Sequence, residues 1–339
     1  MGDMLVRPLK IGKLTIGLPL LQAPLSGYSD LPMRRLAREF GASFTVCEVF
    51  LDQFVLNVSK KNKSRFYLAV DKEDKPTGAQ LMGSSSEELV LAALKLLEYG
   101  FDLIDLNFAC PVKKVVGRSR GGYLLSNPLH AIEIARRVRE AIIPEIPVTV
   151  KLRKGFDDTV ESRKKFFELL SGLLDVGIDA ITVHGRTVLQ RYQGNADWDF
   201  LRDVKEFVSV KKNRPEVSVI GCGDLFSAET VIERMRESNV DGVALARGII
   251  GNPWLFTQTR AVMEERPVPA PPTLQEQKDT IIKHFQAVLH LYGESKAPTI
   301  MRKFGIAYSR LHPDSENVRI AFVLCKTPEQ WFDVLNKYY

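Results

Sequence analysis

The fold class the sequence predicts is a (β/α)8 TIM barrel followed by a small C-terminal helical domain. Three observations carry that prediction. Eight short apolar runs recur between residues 18 and 248. Amphipathic helical patterns with recognisable ends separate most of them. After Trp254 the strand-like runs stop and helical periodicity takes over.

The eight runs lie at 18–25, 42–49, 77–83, 103–110, 148–155, 180–187, 217–224 and 242–248. Short runs without strict alternation suit parallel strands covered on both faces. A doubly wound sheet alternates strand and helix too, but a count of eight favours the closed barrel. The helices between them are punctuated as expected. Ser84 and Ser85 precede Glu87 and Glu88 at capping-box spacing, and the helix that follows runs to Tyr99 before Gly100. Asn127-Pro128 opens a helix with proline at its first position. Gly177 closes the helix near 160–176, and Ser227 caps one that runs to Ser238. The segment 266–273 holds four prolines in eight residues and reads as a linker. The expected organisation is a barrel over 1–260, a Pro-rich linker over 261–273 and a helical domain over 274–339.

Composition narrows the function classes. The chain has 339 residues, 45% hydrophobic and 26% charged, which is enough apolar material for a large core and excludes a disordered or fibrous protein. No run approaches 18 apolar residues, so no membrane-spanning segment is expected. The opening MGDMLVRPLK lacks the apolar stretch of a secretory leader. Val6 stands where a myristoylation signal needs Ser or Thr. Cys47, Cys110, Cys222 and Cys325 are widely spaced, without C-x-x-C or zinc-type spacing. That pattern suits a reducing, cytoplasmic protein with no structural metal. The net charge of +6 leans toward a polyanionic partner.

In barrels of this kind the chemistry sits at the C-terminal ends of the strands. The polar residues expected there are Ser26, Gln80, Asn107, Cys110, Lys151, Arg153, His184, Arg186, Gly223, Asp224 and Arg247. The turns G-C-G-D (221–224) and A-R-G (246–248) follow the last two strands, where barrels commonly hold a phosphate on backbone N–H groups. Lys151 lies within an apolar strand, where an ammonium is costly without a partner; it reads either as a Schiff-base lysine or as a contact to an electron-rich ring. His184 ends a buried strand at the same face. Cys110 precedes Pro111 and a loop with Lys113, Lys114, Arg118 and Arg120, a setting in which a thiol acts as acid or nucleophile. Basic runs at 59–65, after Cys110, at Lys151–Lys154 and at Arg186 with Arg191 suggest a rim for a polyanionic substrate.

Taken together, the motifs resemble the tRNA-dihydrouridine synthases. They are Q-A-P-L-S-G-Y-S-D (22–30), G-A-Q-L-M-G (78–83), D-L-N-F-A-C-P-V-K-K-V (105–115), V-T-V-K-L-R-K-G (148–155), I-T-V-H-G-R-T (181–187), G-C-G-D-L (221–225) and D-G-V-A-L-A-R-G-I-I-G-N-P-W-L-F (241–256), with M-R-K-F-G (301–305) in the tail. The resemblance implies an FMN enzyme that takes hydride from NADPH and reduces the C5–C6 double bond of a uridine in tRNA. It implies that Pro24, Leu25 and Ser26 line the flavin, that Gln80 and Lys151 contact its rings and that His184 lies beside it. Cys222, Gly223, Asp224, Ala246 and Arg247 are then the phosphate end. Cys110 becomes the proton donor to C5, Asn107 helps to place the base and Arg186 lies near the uridine, with Lys113 and Lys114 on the substrate side. The helical tail becomes the tRNA-binding domain. The chain departs from the family pattern at Ala109, Cys222 and Ala246, where the family usually has Gly, Asn and Gly. The rival within the same fold is an FMN oxidoreductase acting on a free pyrimidine. A Schiff-base aldolase built on Lys151 and an inactive RNA-binding barrel are more distant rivals.

Overall fold

The computed structural model describes residues 6–59 and 63–339. Its centre is a closed barrel of eight parallel strands, and all eight expected runs contribute one each. They are β3 (Leu20–Gln22), β4 (Phe44–Leu51), β5 (Thr77–Met82), β6 (Leu103–Asn107), β7 (Val148–Arg153), β8 (Ala180–His184), β9 (Ser218–Cys222) and β10 (Gly242–Leu245). Strand β10 closes the barrel by pairing with β3 on one side and β9 on the other. The strands are buried almost throughout, which is why their sequences run apolar instead of alternating.

The helices that follow the strands form the outer ring: α1 (Leu31–Glu39), α2 (Asp52–Asn57), α3 (Ser86–Glu98), α5 (Pro128–Ala141), α6 (Val160–Val176), α7 (Trp198–Glu206), α8 (Ala228–Ser238) and α9 (Trp254–Met263). A short helix, α4 (Lys113–Val116), lies in the loop before α5. The caps act as the sequence suggests. Ser85 accepts from Glu88 N, Asn127 from His130 N and Ser227 from Thr230 N, each satisfying a first-turn donor. Gly177 ends α6 at φ 85°, a left-handed turn that glycine adopts without strain.

A two-stranded hairpin precedes the barrel, β1 (Leu9–Ile11) paired with β2 (Leu14–Ile16). It was absent from the expected elements. Gly12, at φ 55°, makes the turn. Leu9, Ile11 and Ile16 pack into the barrel interior against Leu21, Phe44, Leu103, Ile220 and Ala244. The Ser218 hydroxyl at the start of β9 donates to the Lys10 carbonyl. The hairpin therefore plugs the N-terminal end of the barrel. Burying three such side chains is worth about 1.5–3 kcal/mol each.

Helix α9 runs on to Met263, past residue 260, so the expected linker begins within a helix. Residues 266–273 carry no helix or strand. The tail holds α10 (Leu274–Tyr292), α11 (Ala297–Tyr308), α12 (Ser315–Leu324) and α13 (Pro328–Tyr338) around Phe285, Phe304, Phe322 and Trp331. It meets the barrel at the loop after β3. The Tyr28 and Phe304 rings meet edge to face at 5.3 Å, Tyr292 donates to Asp30 at 3.1 Å, and the Lys303 ammonium lies 4.8 Å from the centre of the Tyr28 ring. That same loop carries Pro24, Leu25 and Ser26 to the barrel mouth. Among the described residues no helix is long and apolar enough to cross a membrane.

Candidate active site

The C-terminal ends of the strands open into one cavity, and its floor is built by strand register. Gln80 on β5 pairs with Asp105 on β6, Asp105 with Thr149 on β7, and Asn107 with Lys151. Asp105 and Asn107 are two residues apart and so share the inward face. The Asp105 carboxylate accepts from Gln80 Nε2 at 2.6 Å and from Thr149 Oγ1 at 2.7 Å. Asn107 Nδ2 donates to Gln80 Oε1 at 2.8 Å. These bonds fix the orientation of both amides. Burial pushes the Asp105 carboxyl up, against the hydrogen bonds and the Lys151 charge that favour its ionised form. Lys151 is half-buried, and its ammonium has no hydrogen-bond acceptor among the described residues.

Asn107 also builds the Cys110 turn. Its Oδ1 accepts from Ala109 N at 3.0 Å and from Cys110 N at 2.9 Å. Arg153 holds the turn from the other side. Its Nε donates to Ala109 O at 2.9 Å, and its Nη1 to Thr187 O and Arg191 O at 2.9 and 2.7 Å. Ala109 is buried and takes part in both contacts, so the extra methyl group is accommodated. Gly121, at φ 57°, passes so close that a Cβ there would lie 2.8 Å from Cys110 Cβ. The Cys110 side chain is half-buried. Burial pushes its thiol up; the Val112 N–H and the Arg153 charge oppose this without reversing it. Cys110 is therefore a protonated thiol at neutral pH, suited to act as an acid, and the expected cationic setting does not make it a thiolate.

His184 ends β8 at 7% exposure. Burial, followed by the charges of Lys151, Arg153, Arg186 and Arg247, pushes its pKa down to about 2. It is a neutral imidazole at any working pH. Beside it lies the turn after β9, where a Cβ on Gly223 would come 2.9 Å from His184 Cδ2, and next to that the turn after β10. Gly223 and Asp224 have φ of 131° and 54°. The backbone N–H groups of Gly223, Asp224 and Arg247 donate to no backbone acceptor among the described residues. A Cβ on Gly248 would come within 2.2 Å of Leu225 O, so only glycine lets the two turns close together. The Asp224 carboxyl is raised by burial, but bonds from Arg186 and Ala196 N and the charge of Arg247 outweigh this and hold it below the usual range.

Pro24, Leu25, Ser26, Gln80, Asn107, Cys110, Lys151, His184, Cys222, Gly223, Asp224, Ala246 and Arg247 all line this cavity. Arg186, Lys113 and Lys114 do not. Arg186 is 2% exposed and turned into a knot with Asp224. Lys113 and Lys114 are exposed on α4. The basic rim is also thinner than its sequence. Lys154 is bridged to Asp158 and Asp197, and Arg153 is buried. Of the run at 59–65, residues 60–62 lie outside the described residues. Tyr192 and Phe226 were not anticipated as cavity residues. Both are more than half exposed, and the Arg247 guanidinium lies 4.9 and 5.4 Å from their ring centres. A large aromatic in a loop just after a barrel strand is the signal that could have found them.

The donor set suits a flavin. An ammonium and oriented amides face one part of the cavity, and free backbone N–H groups with an arginine form an anion pole at another. The class defined by this barrel and site is the flavin-dependent oxidoreductases. A family model described as dihydrouridine synthase (Dus) matches residues 21–337. A probable tRNA-dihydrouridine synthase of Rickettsia typhi is 35% identical over 322 residues, covering 94% of each chain. The tRNA-dihydrouridine synthase B of Pasteurella multocida is 30% identical over 331 residues, covering 98% of this chain and 96% of its own. This chain belongs to the dihydrouridine synthase family. Solved structures share the fold at much lower identity. The old yellow enzyme of Trypanosoma cruzi aligns at TM-score 0.55 and 13% identity, covering 80% of this chain and 94% of its own. A 2-naphthoyl-CoA reductase aligns at 0.59 and 14%, covering 79% and 53%.

Proposed function

We propose that this protein is a cytoplasmic tRNA-dihydrouridine synthase that reduces the C5–C6 double bond of a uridine in tRNA, with FMN as resident cofactor and NADPH as hydride source. The observation that carries this reading is the Cys110 thiol, kept protonated by burial and held at the cavity by Asn107 and Arg153. Pro24, Leu25, Ser26, Gln80, Lys151 and His184 would hold the ring system. Cys222, Gly223, Asp224, Ala246 and Arg247 would hold the phosphate. Bound FMN supplies the hydride that NADPH has delivered.

The chain's own residues account for the remaining chemistry. Hydride addition at C6 of the uracil leaves negative charge over C5 and the C4 carbonyl. Cys110 gives its thiol proton to C5, which completes the C5–H bond and leaves a thiolate to be reprotonated from solvent. Asn107 and Cys110 share one turn, so the group that places the base and the group that protonates it are set together. The Lys151 ammonium stabilises developing anionic charge. A uridine in a folded tRNA must leave its stack to reach the cavity, and exposed Lys113 and Lys114 can hold the neighbouring phosphates. The helical tail, seated on the loop that carries Pro24–Ser26, is the proposed tRNA-binding domain.

The test is anaerobic. The bound flavin is reduced with NADPH, and unmodified tRNA or free uracil and orotate are then added. Rapid reoxidation by tRNA alone is expected. Reoxidation by a free pyrimidine with tRNA inert would replace this reading with that of a pyrimidine oxidoreductase.

A further inference from the structure

We infer that Arg186 is a positioning residue: its guanidinium decides which ring nitrogen of His184 carries the proton, and through Asp224 it sets the direction of Arg247. The inference rests on the reading of the cavity as a flavin site. It assigns Arg186 a role that does not need contact with the substrate. The Arg186 side chain is 3% exposed.

Arg186 Nη1 lies 3.3 Å from His184 Nε2. A guanidinium has five N–H donors and no acceptor. Nε2 must therefore be the lone-pair nitrogen, and the neutral ring must carry its proton on Nδ1. Free imidazole side chains in water prefer the other form, with the proton on Nε2, so the arrangement selects the minority tautomer. The guanidinium cannot turn away to release the ring. Its Nη1 and Nη2 donate to Asp224 Oδ1 and Oδ2 at 2.9 and 2.6 Å, its Nε donates to Gln193 O at 3.2 Å, and Nη2 also reaches Gly194 O. Asp224 is fixed in turn by Ala196 N at 2.8 Å, and it accepts from Arg247 Nη2 at 3.0 Å.

The consequence is a matter of sign. With Nε2 engaged, Nδ1–H is a donor that no protein group uses among the described residues. A donor there would suit a carbonyl oxygen or an imine nitrogen brought against it, and the opposite tautomer would present a lone pair to such an acceptor instead. One buried arginine thereby sets the polarity of the His184 ring and the aim of a phosphate-side cation.

The experiment uses protein labelled with 15N at its five histidines. Long-range proton–nitrogen correlation spectra are recorded on the flavin-free protein and again with FMN. His184→Gln identifies the His184 signals by their loss. The expected wild-type pattern is a pyrrole-type Nδ1 and a pyridine-type Nε2, in both samples. Arg186→Met should move His184 toward the Nε2–H form and weaken FMN binding by about tenfold, the scale of one lost hydrogen bond. Arg186→Lys, a shorter cation that still only donates, should retain the Nδ1–H form. A wild-type His184 protonated on Nε2 would overturn the inference, and so would an Arg186→Met variant with unchanged tautomer and unchanged FMN affinity. If Arg186→Met does not fold, the wild-type and lysine spectra decide alone. The tautomer is read without substrate, so failure here leaves the tRNA reading standing. Failure to turn over tRNA would likewise leave the tautomer assignment standing.

Discussion

The lower end of the barrel is stopped by an apolar hairpin, with Leu9, Ile11 and Ile16 filling the space between the strands. The upper end, a few residues further along the same strands, is lined by an ammonium with no acceptor among the described residues, a neutral histidine and a protonated thiol. The lower end follows the rule that buried groups be apolar. The upper end breaks it, with polar groups half-buried and incompletely paired. Stability and chemistry occupy opposite ends of one scaffold, so substitutions at the two ends should separate the two properties.

Lys151→Met sharpens this most. It removes a half-buried ammonium that has no acceptor among the described residues, so unfolding stability should stay equal or rise. Uridine reduction should fall by about 10²–10³, the scale of one lost electrostatic stabiliser. Denaturant titration beside a single-turnover assay checks both halves. A large loss of stability would contradict this division of the scaffold.

Ile11→Ala is the opposite case. Truncating a side chain at 1% exposure should cost about 2–5 kcal/mol of unfolding free energy. Turnover per folded molecule should hold. A proportionate loss of turnover in protein shown to be folded would mean that the hairpin acts on the mouth.

The last test is one of pH, and near neutral pH its effect is the smallest; it probes the tail. His284 is buried there, and burial pushes its pKa down to about 3, against 6.5 for the free side chain. The folded protein leaves it neutral while the unfolded chain protonates it below 6.5. The unfolded state then binds more protons, so stability is lost as pH falls from 6.5 toward 3, by up to about 1.4 kcal/mol per pH unit. Asp30, raised by burial to about 6, acts in the opposite sense between about 6 and 3.8. Comparing the pH profile of unfolding for the wild type with that of His284→Gln isolates the histidine. The variant should show the shallower acid-side loss, and parallel profiles would exclude the effect.

Much of the barrel was legible because its signals are local. Each strand is an apolar run, and each helix carries its own caps. The hairpin was missed although Leu9, Ile11, Leu14 and Ile16 frame Gly12 in the right pattern, because three-residue strands are too short to stand out. Cavity residues such as Gln80, Asn107, Cys110 and Lys151 were legible because strand ends define the mouth of a barrel. Arg186 was legible as a strand-end residue, but its partner was not: the guanidinium folds back onto Asp224, 38 residues further along the chain. Pairing hid other charges in the same way. Lys154 reads as a rim cation, yet it is bridged to two aspartates; in the tail, Lys303 lies on Tyr28. A sequence records the charge of a side chain but not the partner that neutralises it.

The most direct measurement of the central claim is a single-turnover assay of Cys110→Ala. The variant is reduced with NADPH under anaerobic conditions, unmodified tRNA is added, and flavin reoxidation and dihydrouridine are followed together. Reduction by NADPH should proceed at the wild-type rate, while dihydrouridine formation falls by about 10²–10⁴, the range for a lost general acid. Dihydrouridine formed at the wild-type rate would contradict the role given to Cys110.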